Sequence, residues 1–177
     1  MIYLDTSVVV ALLTPEERSP LALDWFGQCR DSLISSDWLI TETHSALGLK
    51  QRHHGLSPQA RQTAGAQFER LLQGGVELRP LDRGRFRQAA ELLQDPALGL
   101  RAGDALHLAV ALHSRCTQLA SFDGRMQQAA TALGLSPALA SARVRLGEAG
   151  NGPLIFEAGG GACHGVARCR QSPARWP

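Results

Sequence analysis

Four acidic residues, Asp5, Glu42, Asp104 and Asp123, stand where a carboxylate needs a reason. Glu42 lies on the helical stripe Trp38–Glu42–Ala46–Leu49, whose spacing predicts a face turned to the core. Asp104 lies on Leu100–Asp104–Leu108–Ala111, inside the most apolar helical stretch of the chain. An ionised carboxylate buried alone is very costly, so it pairs, keeps its proton or binds a cation. Arg101 is spaced to pair with Asp104 at i,i+3, whereas nothing near Glu42 in sequence offers the same. Asp5 and Asp123 follow two short apolar runs that read as strands. In an open parallel sheet, ligands bind beyond the carboxyl ends of the strands, where strand order reverses. If those two strands are neighbours, Asp5 and Asp123 converge, and Glu42 and Asp104 can point into the same crevice. Four like charges there repel. Oxygen ligation of a hard divalent ion offsets the repulsion, and Mg²⁺ or Mn²⁺ fits best.

Each acid also has a plainer reading. Asp5 could cap the first helix, and Asp123-Gly124 could be an ordinary turn. Glu42 could be satisfied by a hydroxyl or a distant arginine. Asp104 could be an arginine partner or a first-turn acid. The hydroxyls of Thr6 and Ser121 sit beside the acids and can donate to carboxylate or phosphate oxygens; for Thr6, helix capping is an equal reading. His107, one turn beyond Asp104, reads as a packed core histidine ahead of a general acid.

The elements that must position these groups alternate. Residues 2–5, 33–35, 76–79 and 118–121 read as strands, with a weak fifth near Leu135. Helical periodicity predicts helices over 8–13, from Glu16-Glu17 to about Arg30, and from Ser36 or Asp37 to His53. Further helices are predicted from Ser57-Pro58 to Gln73, from Asp82 to Leu93, over 101–114 and over 124–133. Strands alternating with helices imply a parallel sheet covered on both faces. Residues 1–146 read as one domain. Residues 147–177, with seven glycines, read as a Gly/Pro/Arg-rich disordered tail.

Composition sets the outer limits. A chain of 177 residues suits one domain, and its net charge of +2 neither requires nor excludes a polyanion partner. No apolar run approaches the ~20 residues of a membrane span. The opening residues carry no basic leader, so a cytoplasmic location is expected. Cys29 and Cys116 read as small buried hydrophobes; Cys163 and Cys169 in the tail lack zinc-site spacing. No G-x-G-x-x-G or Walker-type loop is present to cradle phosphates. A receiver-like domain would want a later lysine, and Lys50 is the only lysine.

Together these segments resemble PIN-domain nucleases, in particular the VapC-like toxins. Ile2-Tyr3-Leu4-Asp5-Thr6-Ser7 is similar to the family's first strand, and Ser36-Asp37-Trp38-Leu39-Ile40-Thr41-Glu42 to the segment bearing its second acid. Arg101-Ala102-Gly103-Asp104-Ala105-Leu106-His107-Leu108-Ala109 is the most specific match, and Leu119 to Met126 resembles the last acidic loop. The resemblance covers roughly residues 1–137 and not the tail. It implies a three-layer α/β/α domain with a parallel sheet in the order 3-2-1-4-5. It implies a Mg²⁺-dependent endoribonuclease toxin, usually homodimeric, with a cognate antitoxin lying across its active site. Asp5 and Asp104 would be the core metal ligands, with Glu42 and Asp123 completing the shell. RNA would follow a basic rim of Lys50, Arg52, His53, His54, Arg101 and Arg125. Arg79, Arg83, Arg85 and Arg87 form a second cluster, read first as a solvated helix face. An RNA-processing nuclease without an antitoxin, or a non-catalytic RNA- or partner-binding module, would share the same fold.

Overall fold

The computed structural model describes residues 1–139. The domain end at 146, the tail over 147–177, Cys163 and Cys169 all lie outside the described residues. The strand β1 (Ile2–Leu4) is only three residues long and is buried throughout. It lies between β2 (Leu33–Ser36) and β4 (Gln118–Ala120), parallel to both, with Tyr3 opposite Ile34 on one side and Leu119 on the other. β3 (Glu77–Arg79) pairs with β2, and β5 (Ser136–Pro137) with β4. The sheet is therefore wholly parallel in the order β3-β2-β1-β4-β5, as the resemblance implied. The chain leaves β1 first toward β2 and returns to its other side with β4, so the topological switch point falls between β1 and β4.

The alternation of side chains in β1 divides the core into two layers. Ile2 and Leu4 join a cluster with Val8 and Val9 of α1 (Thr6–Leu13), Trp25 and Phe26 of α2 (Ser19–Gln28), Leu39 of α3 (Trp38–His53) and Phe68 of α4 (Pro58–Gly74). Tyr3 faces the opposite way, with Leu108 of α6 (Ala102–His113) and Met126 and Ala129 of α7 (Gly124–Ala132). α5 (Arg83–Leu92) covers the outer face of α6 through Ala89. Packed between α5 and the sheet, α6 is buried continuously from Ala105 to Ala111, which explains its apolar character on every side.

Two local expectations need correction. The helix expected from Glu16-Glu17 begins at Ser19, with Pro20 in its first turn. Proline is tolerated there because the first N–H groups of a helix have no intrahelical partner. Glu16 instead stands in the preceding turn, where its N–H donates to Ser19 Oγ at 2.9 Å. The core-facing stripe of α3 is Leu39–Thr43–Leu47, not Trp38–Glu42–Ala46–Leu49. Glu42 is only half-buried and Leu49 is 46% exposed, so the second stripe runs along the margin of the core. The carboxylate of Glu42 thus reaches the crevice from its rim. Cys29 and Cys116 are buried, as their surroundings in sequence implied. Among the described residues, no helix is long and apolar enough to cross a membrane.

Candidate metal centre

Asp5 stands directly after β1, at the switch point, where its backbone N–H continues the ladder by donating to Ala120 O at 3.0 Å. It is the N-cap of α1. Its Oδ2 accepts from Ser7 N at 3.3 Å, Ser7 Oγ at 2.5 Å and Ser121 Oγ at 2.8 Å. Ser7 Oγ in turn accepts from Phe122 N at 2.8 Å, and Ser121 Oγ from Asp123 N at 3.0 Å. These bonds stitch the end of β1 to the loop after β4. They carry the chain to Asp123, which caps α7 by accepting from Arg125 N at 2.8 Å and Met126 N at 3.0 Å through Oδ1.

Glu42 enters from α3. Its Oε2 accepts from Thr6 Oγ1 at 2.5 Å and lies 2.8 Å from His107 Nε2. The same nitrogen is 3.8 Å from Asp5 Oδ1, and Asp5, Glu42 and His107 each offer a ligand atom within 4.8 Å of the others. Asp104 sits in the first turn of α6, where its Oδ2 accepts from Arg101 N at 3.0 Å. Of the two plain readings of Asp104, arginine partner or first-turn acid, the structure shows the first-turn acid, bonded to the Arg101 backbone while the Arg101 side chain is exposed.

Each of the four acids has one oxygen engaged by protein donors: Oδ2 of Asp5, Oε2 of Glu42, Oδ2 of Asp104 and Oδ1 of Asp123. For Asp5, Asp104 and Asp123 the other is unbonded among the described residues, where no hydrogen bond reaches Asp5 Oδ1, Asp104 Oδ1 or Asp123 Oδ2. Glu42 Oε1 is turned toward Gly103 and the indole edge of Trp38. Carboxylates fixed by one oxygen and presenting the other suit a hard divalent cation, which takes oxygen ligands and rewards rigid placement.

Asp104 is near enough to the other acids to feel their charge. Burial pushes the Asp104 carboxyl above its usual value; the N–H of Arg101 opposes this, while the charges of Asp123, Asp5 and Glu42 add to it. Glu42 behaves in the opposite sense. Burial opposes its ionisation, but the hydrogen bond and charge of His107, the Thr6 hydroxyl and the Trp38 indole outweigh it and hold the carboxyl low. Burial alone would strip the proton from His107; the bond to Glu42 and the charges of Asp5, Glu42 and Asp104 raise its pKa instead.

A PIN domain family model matches residues 2–132. The chain belongs to the PIN domain family. This PIN-domain chain is 30% identical over 140 residues to Ribonuclease VapC35 of Mycobacterium tuberculosis, an alignment covering 77% of the chain and 94% of that protein. Its fold is similar to that of Mycobacterium tuberculosis VapC20, described as a Sarcin-Ricin loop cleaving toxin, with a TM-score of 0.61 at 23% identity. That match covers 76% of the chain and 96% of VapC20. FitAcB from Neisseria gonorrhoeae also shares the fold, with a TM-score of 0.56 at 18% identity, over 77% of the chain and 96% of that structure.

The basic residues are less unified than the sequence implied. Lys50 is held by Glu16 in an ion pair, so it is not a free rim cation. Arg52 packs its guanidinium over Gly48 on the same helix. Arg101 and Arg125 are exposed, next to the elements that carry Asp104 and Asp123. In the second cluster, Arg79 pairs with Glu77 at 3.1 Å and Arg85 with Asp82 at 3.5 Å. Both line a cavity of about 370 Å³, shared with His113 and Ser114, that none of the four acids enters. Sequence reasoning missed the parts played by Ser7, Gly103, Tyr3 and Ser36. Only Ser7 carried a signal, as a second hydroxyl just past Asp5.

Proposed function

We propose that this PIN-domain chain is a divalent-metal-dependent endoribonuclease, acting as the toxin of a toxin–antitoxin pair. The observation that supports this best is the cluster of Asp5, Glu42 and His107, whose ligand atoms lie within 4.8 Å of one another, with Asp104 near enough to feel the charges of Asp5, Glu42 and Asp123. The relationship to a ribonuclease of VapC type points the same way. Asp5 and Asp104 are assigned as the core ligands, with Glu42 and Asp123 completing the shell. A bound Mg²⁺ or Mn²⁺ would polarise the scissile phosphate and acidify a water. Glu42 or Asp123 would orient the attacking water and take up its proton. Thr6 and Ser121 keep the carboxylates in register through the hydroxyl bonds described above. Arg101 and Arg125 would receive RNA phosphates, which supply most nucleic-acid affinity.

The antitoxin and a homodimeric assembly belong to the same proposal and rest on the family relationship alone. A non-catalytic binding module is disfavoured because all four acidic positions of the resemblance are filled. An RNA-processing role without an antitoxin is separated from the toxin role by biology, not by the site. The test is cleavage of a mixed RNA substrate with Mg²⁺, with EDTA, and by the Asp5→Asn and Asp104→Asn variants. Metal-dependent cleavage lost in both variants, together with loss of growth inhibition on expression, is the expected result. Full cleavage or undiminished toxicity in the folded variants would end the assignment.

A further inference from the structure

The metal-ligand reading uses the acids but leaves a buried polar chain behind them unexplained. His107 is 1% exposed, and Tyr3 and Ser36 are fully buried, on the sheet beneath the site. Tyr3 Oη donates to Ser36 Oγ at 3.1 Å and lies 2.8 Å from His107 Nδ1. The two rings meet edge-on, with centroids 5.6 Å apart. The far nitrogen, Nε2, is 2.8 Å from Glu42 Oε2. A continuous line of hydrogen bonds therefore runs Ser36–Tyr3–His107–Glu42, from two central strands through α6 to a carboxylate on α3.

Buried polar groups of this kind are costly unless every member is satisfied, and a satisfied network fixes one geometry. Both ring nitrogens of His107 are engaged, so the imidazole has no freedom to turn. Nε2 is committed to Glu42 Oε2, so a cation bound there would have to break the bond that satisfies both groups. Thr6 adds the second bond to the same oxygen, Oε2. Oε1 lies beside Gly103 and the Trp38 indole, outside this pair of bonds.

We propose that His107 is a positioning residue, a clamp anchored through Tyr3 that fixes the Glu42 carboxylate at the edge of the metal centre, and that it is not itself a metal ligand. The inference rests on the metal-centre reading given above and adds to it the group that orients one ligand. Partners of this second kind typically influence metal affinity by about 10- to 100-fold.

The test uses Mn²⁺ alone as the probe on the full chain, with affinity read by EPR of free Mn²⁺ and ligation by nitrogen electron-spin-echo modulation. His107→Leu is expected to weaken Mn²⁺ binding by about tenfold or more. His107→Gln, which keeps a donor near the Nε2 position, should recover much of it. Tyr3→Phe, which removes only the anchor, should fall between parent and His107→Leu, and it keeps the inference testable if His107→Leu does not fold. No directly bonded nitrogen should appear in the Mn²⁺ spectrum of the parent. Parent-like affinity in a folded His107→Leu or Tyr3→Phe variant would overturn the clamp, as would a directly bonded imidazole nitrogen. A parent chain that binds no Mn²⁺ would instead bring down the metal centre itself, and the clamp with it.

Discussion

Replacing Gly103 by alanine should separate stability from activity. Gly103 lies in the first turn of α6, where alanine is a better helix former than glycine by up to about 1 kcal/mol. A methyl group there would stand 2.9 Å from Glu42 Oε1 and 3.2 Å from Trp38 Nε1, against about 3.4 Å for ordinary contact. The carboxylate oxygen must therefore give way by about 0.5 Å, which is about the tolerance of a productive site. A loose glutamate would simply swing aside at little cost. This one is pinned through Oε2 by His107 and Thr6, so movement of Oε1 strains both bonds. Misplacement by about 1 Å costs roughly 100-fold in rate, so half that shift should cost about tenfold. The helix gain and the local strain roughly cancel, leaving the folded chain within about 1 kcal/mol of the parent. Calorimetry and initial rates on a labelled RNA at saturating Mg²⁺ read the two quantities. A Gly103→Ala chain with parental Tm and parental kcat would show that Glu42 is not held where the structure holds it.

Other predictions follow from the charges. Asp104 has a raised pKa, so in the metal-free chain the folded state keeps a proton that the unfolded chain has released. Its contribution to stability therefore falls as pH rises from the ordinary Asp range through the folded value. Asp104→Asn should melt higher than the parent at pH 7 without metal, with the gap closing toward pH 4 and reversing when Mn²⁺ stabilises only the parent; calorimetry across that range would expose a gap of the wrong sign. Lys50→Ala should lose less than about 1 kcal/mol and leave the salt dependence of RNA binding unchanged, because Lys50 is committed to Glu16. Arg101→Ala and Arg125→Ala should each reduce that salt slope by about one phosphate contact, and a slope moved only by Lys50→Ala would reverse this division of roles.

Much of the fold was legible because its signals are local. The strands around β1 are short apolar runs, and Asp5, Ser57 and Asp82 announce the helices that they cap. The acids were legible as anomalies, but their meaning was posed as a choice between capping and metal binding. Capping does not exhaust Asp5, Asp104 or Asp123, since one oxygen serves the helix and among the described residues no hydrogen bond reaches the other. No sequence pattern distinguishes two oxygens of one carboxylate. Glu42 was assigned to the core stripe because periodicity cannot tell the centre of a buried face from its margin. The pairing of Lys50 with Glu16 and of His107 with Tyr3 joins residues distant in sequence, so only the tertiary fold could reveal it.

The most direct measurement is the anomalous scattering of manganese in crystals of the chain grown with Mn²⁺. A peak within ligand distance of Asp5 and Asp104, beside the Glu42 carboxylate, is the predicted result. A chain that cleaves RNA with full occupancy of manganese somewhere else, and none beside Asp5, would contradict it.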